Sequence, residues 1–254
     1  MKLNKWYFPV VVYIVCVAAL LCVWALTEPK TAINFFDQGG YSPFEIATLP
    51  FYAAIVPAVW FANPFGGSRK RQILLCLAVS VVAIMAIVKE MDLHLVALHS
   101  LYPQYVADDG MLLPGLFKPN GSPLTGTPFK MRVLTNAAVP LGMKAFIIAY
   151  FALFFGTFAA AFACLFPAWL KGVFALDGAA WSWGCFGGSG LLVQICDRIP
   201  SWLGHAHGLE KGGETVTKAA SFCTIMEEGG ELMIAIFALL TIFLGFMKKK
   251  GKLQ

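Results

Sequence analysis

The chain has 254 residues, of which 59% are hydrophobic and only 13% charged, with a formal net charge of +5. Its mean hydropathy is +0.72. A soluble domain carries about a quarter of its residues as charges to cover its surface, so a water-soluble globule is excluded. No alternating strand pattern supports a β-barrel. The expected fold is an all-α, polytopic transmembrane helical bundle forming one integral-membrane domain.

In chain order, apolar runs predict six spans at about 6–26, 44–63, 72–91, 141–165, 176–196 and 231–247, most of them near the ~20 residues that cross a bilayer. The first follows Lys2 and Lys5 and has no small-x-small cleavage site, so it reads as an anchor and not a signal peptide. Pro50 and Pro57 are expected to bend the second. The third ends in "KEMDLH", where Lys89, Glu90, Asp92 and His94 crowd together. A loop at about 92–140 follows, and its "FKPNGSPLTGTPFK" excludes continuous helix. The fifth span is short and glycine-rich, "WGCFGGSG", and a second polar loop at about 197–230 separates it from the sixth.

Lysine and arginine orient the bundle. Lys2 and Lys5, "SRKR" after span two, Lys171 after span four and the terminal "KKKGK" all fall on one side of a six-span chain. That side is expected to be the cytoplasm, with both termini cytoplasmic, both long loops outward, and the inner (plasma) membrane as the location. Membrane lipids are the expected partners, because such basic clusters suit anionic head groups; nucleic acid is not. The oligomeric state stays open.

Helical rise puts Glu90 roughly 28 Å from Arg71, and Glu231 roughly 25 Å from Lys248. Glu45 and Asp197 fall at a similar depth, so four spans place a carboxylate near the outer boundary. Glu90 and His94 are four apart, as are Glu227 and Glu231, with Glu228 beside them. If the helix of span six starts early, near Glu214 or Thr215, two stripes, E-x-x-x-H and E-x-x-x-E, meet at one height. Gly229 and Gly230 would either bend the second helix or admit a close neighbour. Glu90, His94, Glu227 and Glu231 are the candidate acid–base groups, and the same four the candidate ligands of a divalent metal cofactor. Lys130, Arg132 and Lys144 are the candidate substrate-binding cations, suited to a phosphate or carboxylate. The structural alternative is a water-facing cap in which a cation such as Lys89 pairs with the acids.

Other titratable groups read more simply. His205 and His207 belong to a solvated loop, with metal capture as the alternative, and His99 to the interface. Five cysteines sit inside spans as small apolar residues, whereas Cys196 and Cys223 lie near the outer face, where a disulfide is permitted by spacing but not dictated.

The patches "KEMDLH", "FKMR", "PLGMK" and "EEGGE" resemble a pattern in uncharacterised bacterial inner-membrane proteins: a basic residue, Glu, Asp and His, then a Lys/Arg pair, then E-E-x-x-E. The resemblance covers Lys89 to Glu231 in four short pieces and implies no particular activity. Acids and histidines near one face are also similar to those of seven-span membrane hydrolases of the ceramidase and progestin-receptor type. The metal-ligand spacing and seventh helix of that group are missing here. Walker, H-E-x-x-H, G-x-S-x-G and C-x-x-C motifs are absent, which counts against ATP-driven transport, zincin proteolysis and thiol exchange. Three functions remain: an enzyme acting on a lipid or lipid-linked head group, a proton-coupled carrier, and a non-catalytic assembly subunit. Acids confined to one face favour the enzyme, because carriers place polar groups near the midplane.

Overall fold

The structure, a computed structural model, describes residues 5–37, 42–118, 120–124, 126–207 and 218–251, with backbone alone for 200–207. Among the described residues it is all-helical, 77% helix with no strands. Five helices are long and apolar enough to cross a membrane: Tyr7–Leu26, Pro43–Ala62, Arg69–Glu90, Leu141–Phe174 and Lys218–Lys249. We call the first three α1, α3 and α4. The fourth comprises α7 (Leu141–Phe151), a π-helical turn (Ala152–Gly156) and α8 (Thr157–Phe174). The fifth is α10. Helix α9, Gly178–His207, is 30 residues long, but its glycines and polar residues dilute its apolar character.

Three helices run past the predicted span limits, and α9 continues beyond Cys196 to His207, taking up the first part of the loop expected at about 197–230. The fourth span continues past Leu165 to Phe174, through Pro167. The sixth begins by Lys218, not at Glu231, so "EEGGE" lies inside a continuous helix. Its glycines make no bend there. They admit neighbours: a Cβ on Gly230 would come within 2.6 Å of Val193 in α9, and one on Gly229 would strike Leu20 of α1. Small residues thus let α1 and α9 close on the acidic segment of α10. Helices α9 and α10 form the most extensive pair, and α3 packs on both α4 and α10.

Sequence patterns also missed α2 (Pro29–Phe36). This short amphipathic helix buries Ala32 and Phe36 against Ile225 of α10. The 92–140 segment is a folded cap. It contains α5 (Leu93–Leu101) and α6 (Met131–Leu134), and it packs Leu98, Val106, Leu124, Val133 and Val139 against Met143 and Ile147 of α7. His99 is not a surface group but half-buried, and its Nδ1–H donates to the Val106 carbonyl at 2.8 Å.

The basic segments gather at one end of the bundle. Lys5 bridges to Asp177 through the backbone, and Lys248 pairs with the same aspartate. Lys249 donates to the Asn63 carbonyl and Arg71 to that of Cys164, both at 2.9 Å. The acids converge at the other end.

Candidate functional site

Helix α4 starts at a Ser68 cap and stops at Glu90, because Asp92 takes a left-handed conformation with φ 49°. The chain turns there into α5. Glu90 and His94 therefore do not share a face of one helix, as their spacing predicts; the turn nevertheless brings both to one cavity. This cavity, of about 210 Å³, is lined by Glu45, Lys89, Glu90, Asp92, His94, Leu95, Thr127, Phe129, Glu228 and Glu231. Four elements supply it: the start of α3, the α4–α5 corner, the cap loop and the middle of α10.

Glu45 is held in place locally. Its carboxylate accepts from the Ser42 backbone N–H at 2.7 Å, and its own N–H donates to Ser42 Oγ at 3.1 Å, a capping box that starts α3 before Pro43. Tyr52, two helical turns further on, donates its hydroxyl to the Glu231 carbonyl at 2.8 Å and ties α3 to α10 beside the acids.

At the centre, ligand oxygens of Glu90, Glu228 and Glu231 all lie within 4.8 Å of one another. The expected meeting of Glu90 with Glu231 is thus present. Lys89 donates to Glu231 at 2.5 Å and to Glu90 at 3.3 Å. The two carboxylates are buried, whereas the Lys89 side chain as a whole is half-exposed. Glu228 is 9% exposed and, among the described residues, has no hydrogen bond or ion pair. Fully ionised, these three acids and Lys89 leave two negative charges uncompensated in a poorly hydrated space, a costly arrangement unless protons or another cation balance it.

Three sequence-based assignments change. Glu227 does not line the cavity; it sits beside Cys196 of α9. At ~100° per residue Glu231 lies between the other two on the helix wheel, about 40° from Glu227 and about 60° from Glu228, so spacing alone does not separate them; the facing of α10 turns Glu228 towards Glu90 and Glu227 towards α9. His94 does not join the oxygen cluster: its Nδ1 faces the Val88 carbonyl at 3.3 Å. Its ring stacks on Tyr150 at 5.0 Å and meets Phe129 edge-on at 4.8 Å. A carbonyl only accepts, so Nδ1 carries the proton and Nε2 is left basic. Burial pushes this imidazole below its ordinary pKa, and burial pushes the Asp92 carboxyl above its own. Lys144 stands half-buried in the first turn of α7, away from the cavity lining.

Lys130 and Arg132 fare differently. Gly126, at φ +90°, lets the cap loop turn so that both cations lean over it. A Cβ there would lie 3.0 Å from Arg132 Nη2 and 3.2 Å from Lys130 Nζ. The loop continues directly into Thr127 and Phe129, which wall the acidic cavity. A pair of converging cations therefore adjoins a cluster of anions. Gly126 shapes this pairing of cations, and in the sequence it is legible only as one turn glycine among several.

Asp197 forms an exposed pair with Arg198 and takes no part in the cavity. Cys196 and Cys223 are buried thiols with no disulfide between them. The side chains of His205 and His207 lie outside the described residues. The family models, curated proteins and solved structures compared with this chain give no match.

Three clustered carboxylates form an oxygen-only donor set of the kind taken by a hard divalent cation such as Mg²⁺, Mn²⁺ or Ca²⁺. Glu228, with no hydrogen bond or ion pair among the described residues, fits that use, because a purely structural ion-pair cluster gains nothing from a third buried acid.

Proposed function

We propose that the protein is a six-span inner-membrane enzyme with cytoplasmic termini, acting at the outer face on the phosphate-bearing head group of a lipid. In this reading Glu90, Glu228 and Glu231 hold a divalent cation, and Glu228 replaces Glu227 in the set expected from spacing. His94 accepts a proton through Nε2. Lys130 and Arg132 receive the phosphate at the rim, and Lys89 neutralises one carboxylate and orients Glu231. A bound divalent cation would supply Lewis-acid polarisation of a phosphoryl oxygen.

The observation that carries the proposal is Glu228, buried beside Glu90 and Glu231 with no hydrogen bond or ion pair among the described residues. The single-sided placement supports an enzyme over a carrier: no Asp, Glu, Lys, Arg or His interrupts α10 between Glu231 and Lys248, or α4 between Arg71 and Lys89. Elemental analysis of the purified, detergent-solubilised protein tests the proposal. Wild type and the loop variant Asp108→Asn should retain about one divalent ion per chain, the stoichiometry of a three-carboxylate site. Glu90→Gln and Glu228→Gln should lose it. A wild type that takes up no divalent ion, even after incubation with Mg²⁺, Mn²⁺ and Ca²⁺, would reduce the cluster to a salt-bridged cap.

The orientation has its own check. A reporter that fluoresces only in the cytoplasm should be bright after Gln254 and dark within 118–125. The reverse pattern would put the acidic cavity on the cytoplasmic side.

A further inference from the structure

Resting on the proposed cation site, we infer which ion it takes: a small octahedral one, Mg²⁺ or Mn²⁺, that keeps water ligands, with Asp92 as the carboxylate that accepts from those waters.

Protein donors at the ion position are few. Glu90, Glu228 and Glu231 each bring one oxygen to within 4.8 Å of the others. Lys89 already takes Oε1 of Glu90 and Oε1 of Glu231, so each of these meets an ion through its other oxygen and not as a chelating pair. Glu228, buried and with no hydrogen bond or ion pair among the described residues, lines the same cavity. So small a set does not fill the shell of Ca²⁺, which takes about 6–8 oxygens at about 2.3–2.6 Å. It does fill about half of an octahedron around a smaller ion, and Mg²⁺ gives up its remaining waters reluctantly. There is room for them, since the cavity measures about 210 Å³ and a water occupies about 30 Å³ in the liquid.

Waters on a divalent ion donate strongly, so the wall opposite them must accept. Most of that wall is committed. Lys89 only donates. Glu45 accepts from the Ser42 N–H at 2.7 Å, and His94 presents Nδ1 to the Val88 carbonyl and keeps only Nε2. Asp92 is uncommitted. It stands at the N-cap of α5, where an aspartate ordinarily takes a first-turn N–H, yet its side chain makes no such bond. The N–H groups of Leu95 and Val96 donate to its backbone carbonyl instead, at 2.8 and 3.0 Å. Among the described residues its carboxylate has no hydrogen bond or ion pair, and it lines the cavity. Asp92 does not belong to the group of oxygens within 4.8 Å, so it reaches the ion through water and not directly.

Two variants suit its backbone φ of 49°. Asparagine tolerates the left-handed region as aspartate does, and glycine enters it freely.

The full-length protein, stripped with chelator in detergent and reloaded with Mn²⁺, tests the inference by water-proton relaxation, which counts the waters on the ion. Calorimetric titration with Mg²⁺ and with Ca²⁺ gives the preference. Wild type should keep about three waters on Mn²⁺ and bind Mg²⁺ more tightly than Ca²⁺. Asp92→Asn should weaken Mg²⁺ binding on the order of tenfold, the usual loss when a partner of a metal's ligands is removed, with the water count unchanged. Asp92→Gly should fold at least as well as wild type and show the same loss. A Mn²⁺ ion without water, Ca²⁺ bound more tightly than Mg²⁺, or unaltered Mg²⁺ affinity in both variants would overturn the inference and leave the cation site standing. Complete loss of ion binding in Asp92→Asn would make Asp92 a direct ligand and overturn its assigned role. A wild type that takes up no divalent ion would sink the site itself.

Discussion

Lys89→Met is expected to be the most destabilising single change at the site. It removes the ammonium that contacts both Glu231 and Glu90 and leaves two buried carboxylates without it. Breaking a buried pair costs about 3–5 kcal/mol; because the Lys89 side chain is half-exposed, we expect about 3, the lower end of that range. Glu231→Gln removes the other partner and should cost less, since Lys89 retains Glu90 and water. Unfolding in detergent with a chelator present, followed by circular dichroism, measures both. A Lys89→Met protein as stable as wild type would mean that the carboxylates are already neutralised by something else.

Glu228→Gln is expected to behave in the opposite way. With a chelator present no partner is lost, because Glu228 has none among the described residues, and a buried charge is replaced by a neutral amide. Relief of repulsion from Glu90 and Glu231 should offset the ~1–3 kcal/mol cost of burying an incompletely bonded amide, so stability should stay level or rise. The two variants form a pair: one acid near the cavity floor is held by a lysine, the other is not. Equal losses for Glu228→Gln and Lys89→Met would show that Glu228 is engaged in the same structural network.

The helical, membrane-type architecture was legible because composition and run length depend on the bilayer and hardly on tertiary detail. Helix ends were less so. Gln72–Met91 comes close to α4, whereas the start of span six was misplaced by more than a turn: Glu227, Glu228 and Glu231 look like the flank of an apolar run. In the fold they are interior, because α1, α3, α4 and α9 cover them. Helix α2 and the cap over α7 are tertiary objects, built from short segments whose burial depends on what lies opposite.

At the site, depth was readable and direction was not. Matching rises brought Glu90 and Glu231 to one height, and they do converge. Spacing rules assume an unbroken helix, and the left-handed Asp92 breaks that assumption between Glu90 and His94. Choosing Glu228 over Glu227 needed the facing of α10, set by Gly229 and Gly230 against Leu20 and Val193. Lys130 and Arg132 were picked as charges and meet over Gly126; Lys144 was picked on the same ground and stands elsewhere. Charge alone does not say where a side chain lies.

The central claim is that Glu90, Glu228 and Glu231 form a cation site, and thermal unfolding with and without divalent ions tests it most directly. Wild type and Glu228→Gln are unfolded in chelator and again in Mg²⁺, Mn²⁺ or Ca²⁺. A ligand that binds only the folded state adds about 2.7 kcal/mol at a hundred times its Kd. Wild type should therefore gain several degrees in Tm with at least one of the three ions. Glu228→Gln, at least as stable as wild type in chelator, should gain nothing. An ion-independent Tm in wild type, or the same gain in both proteins, would contradict the account.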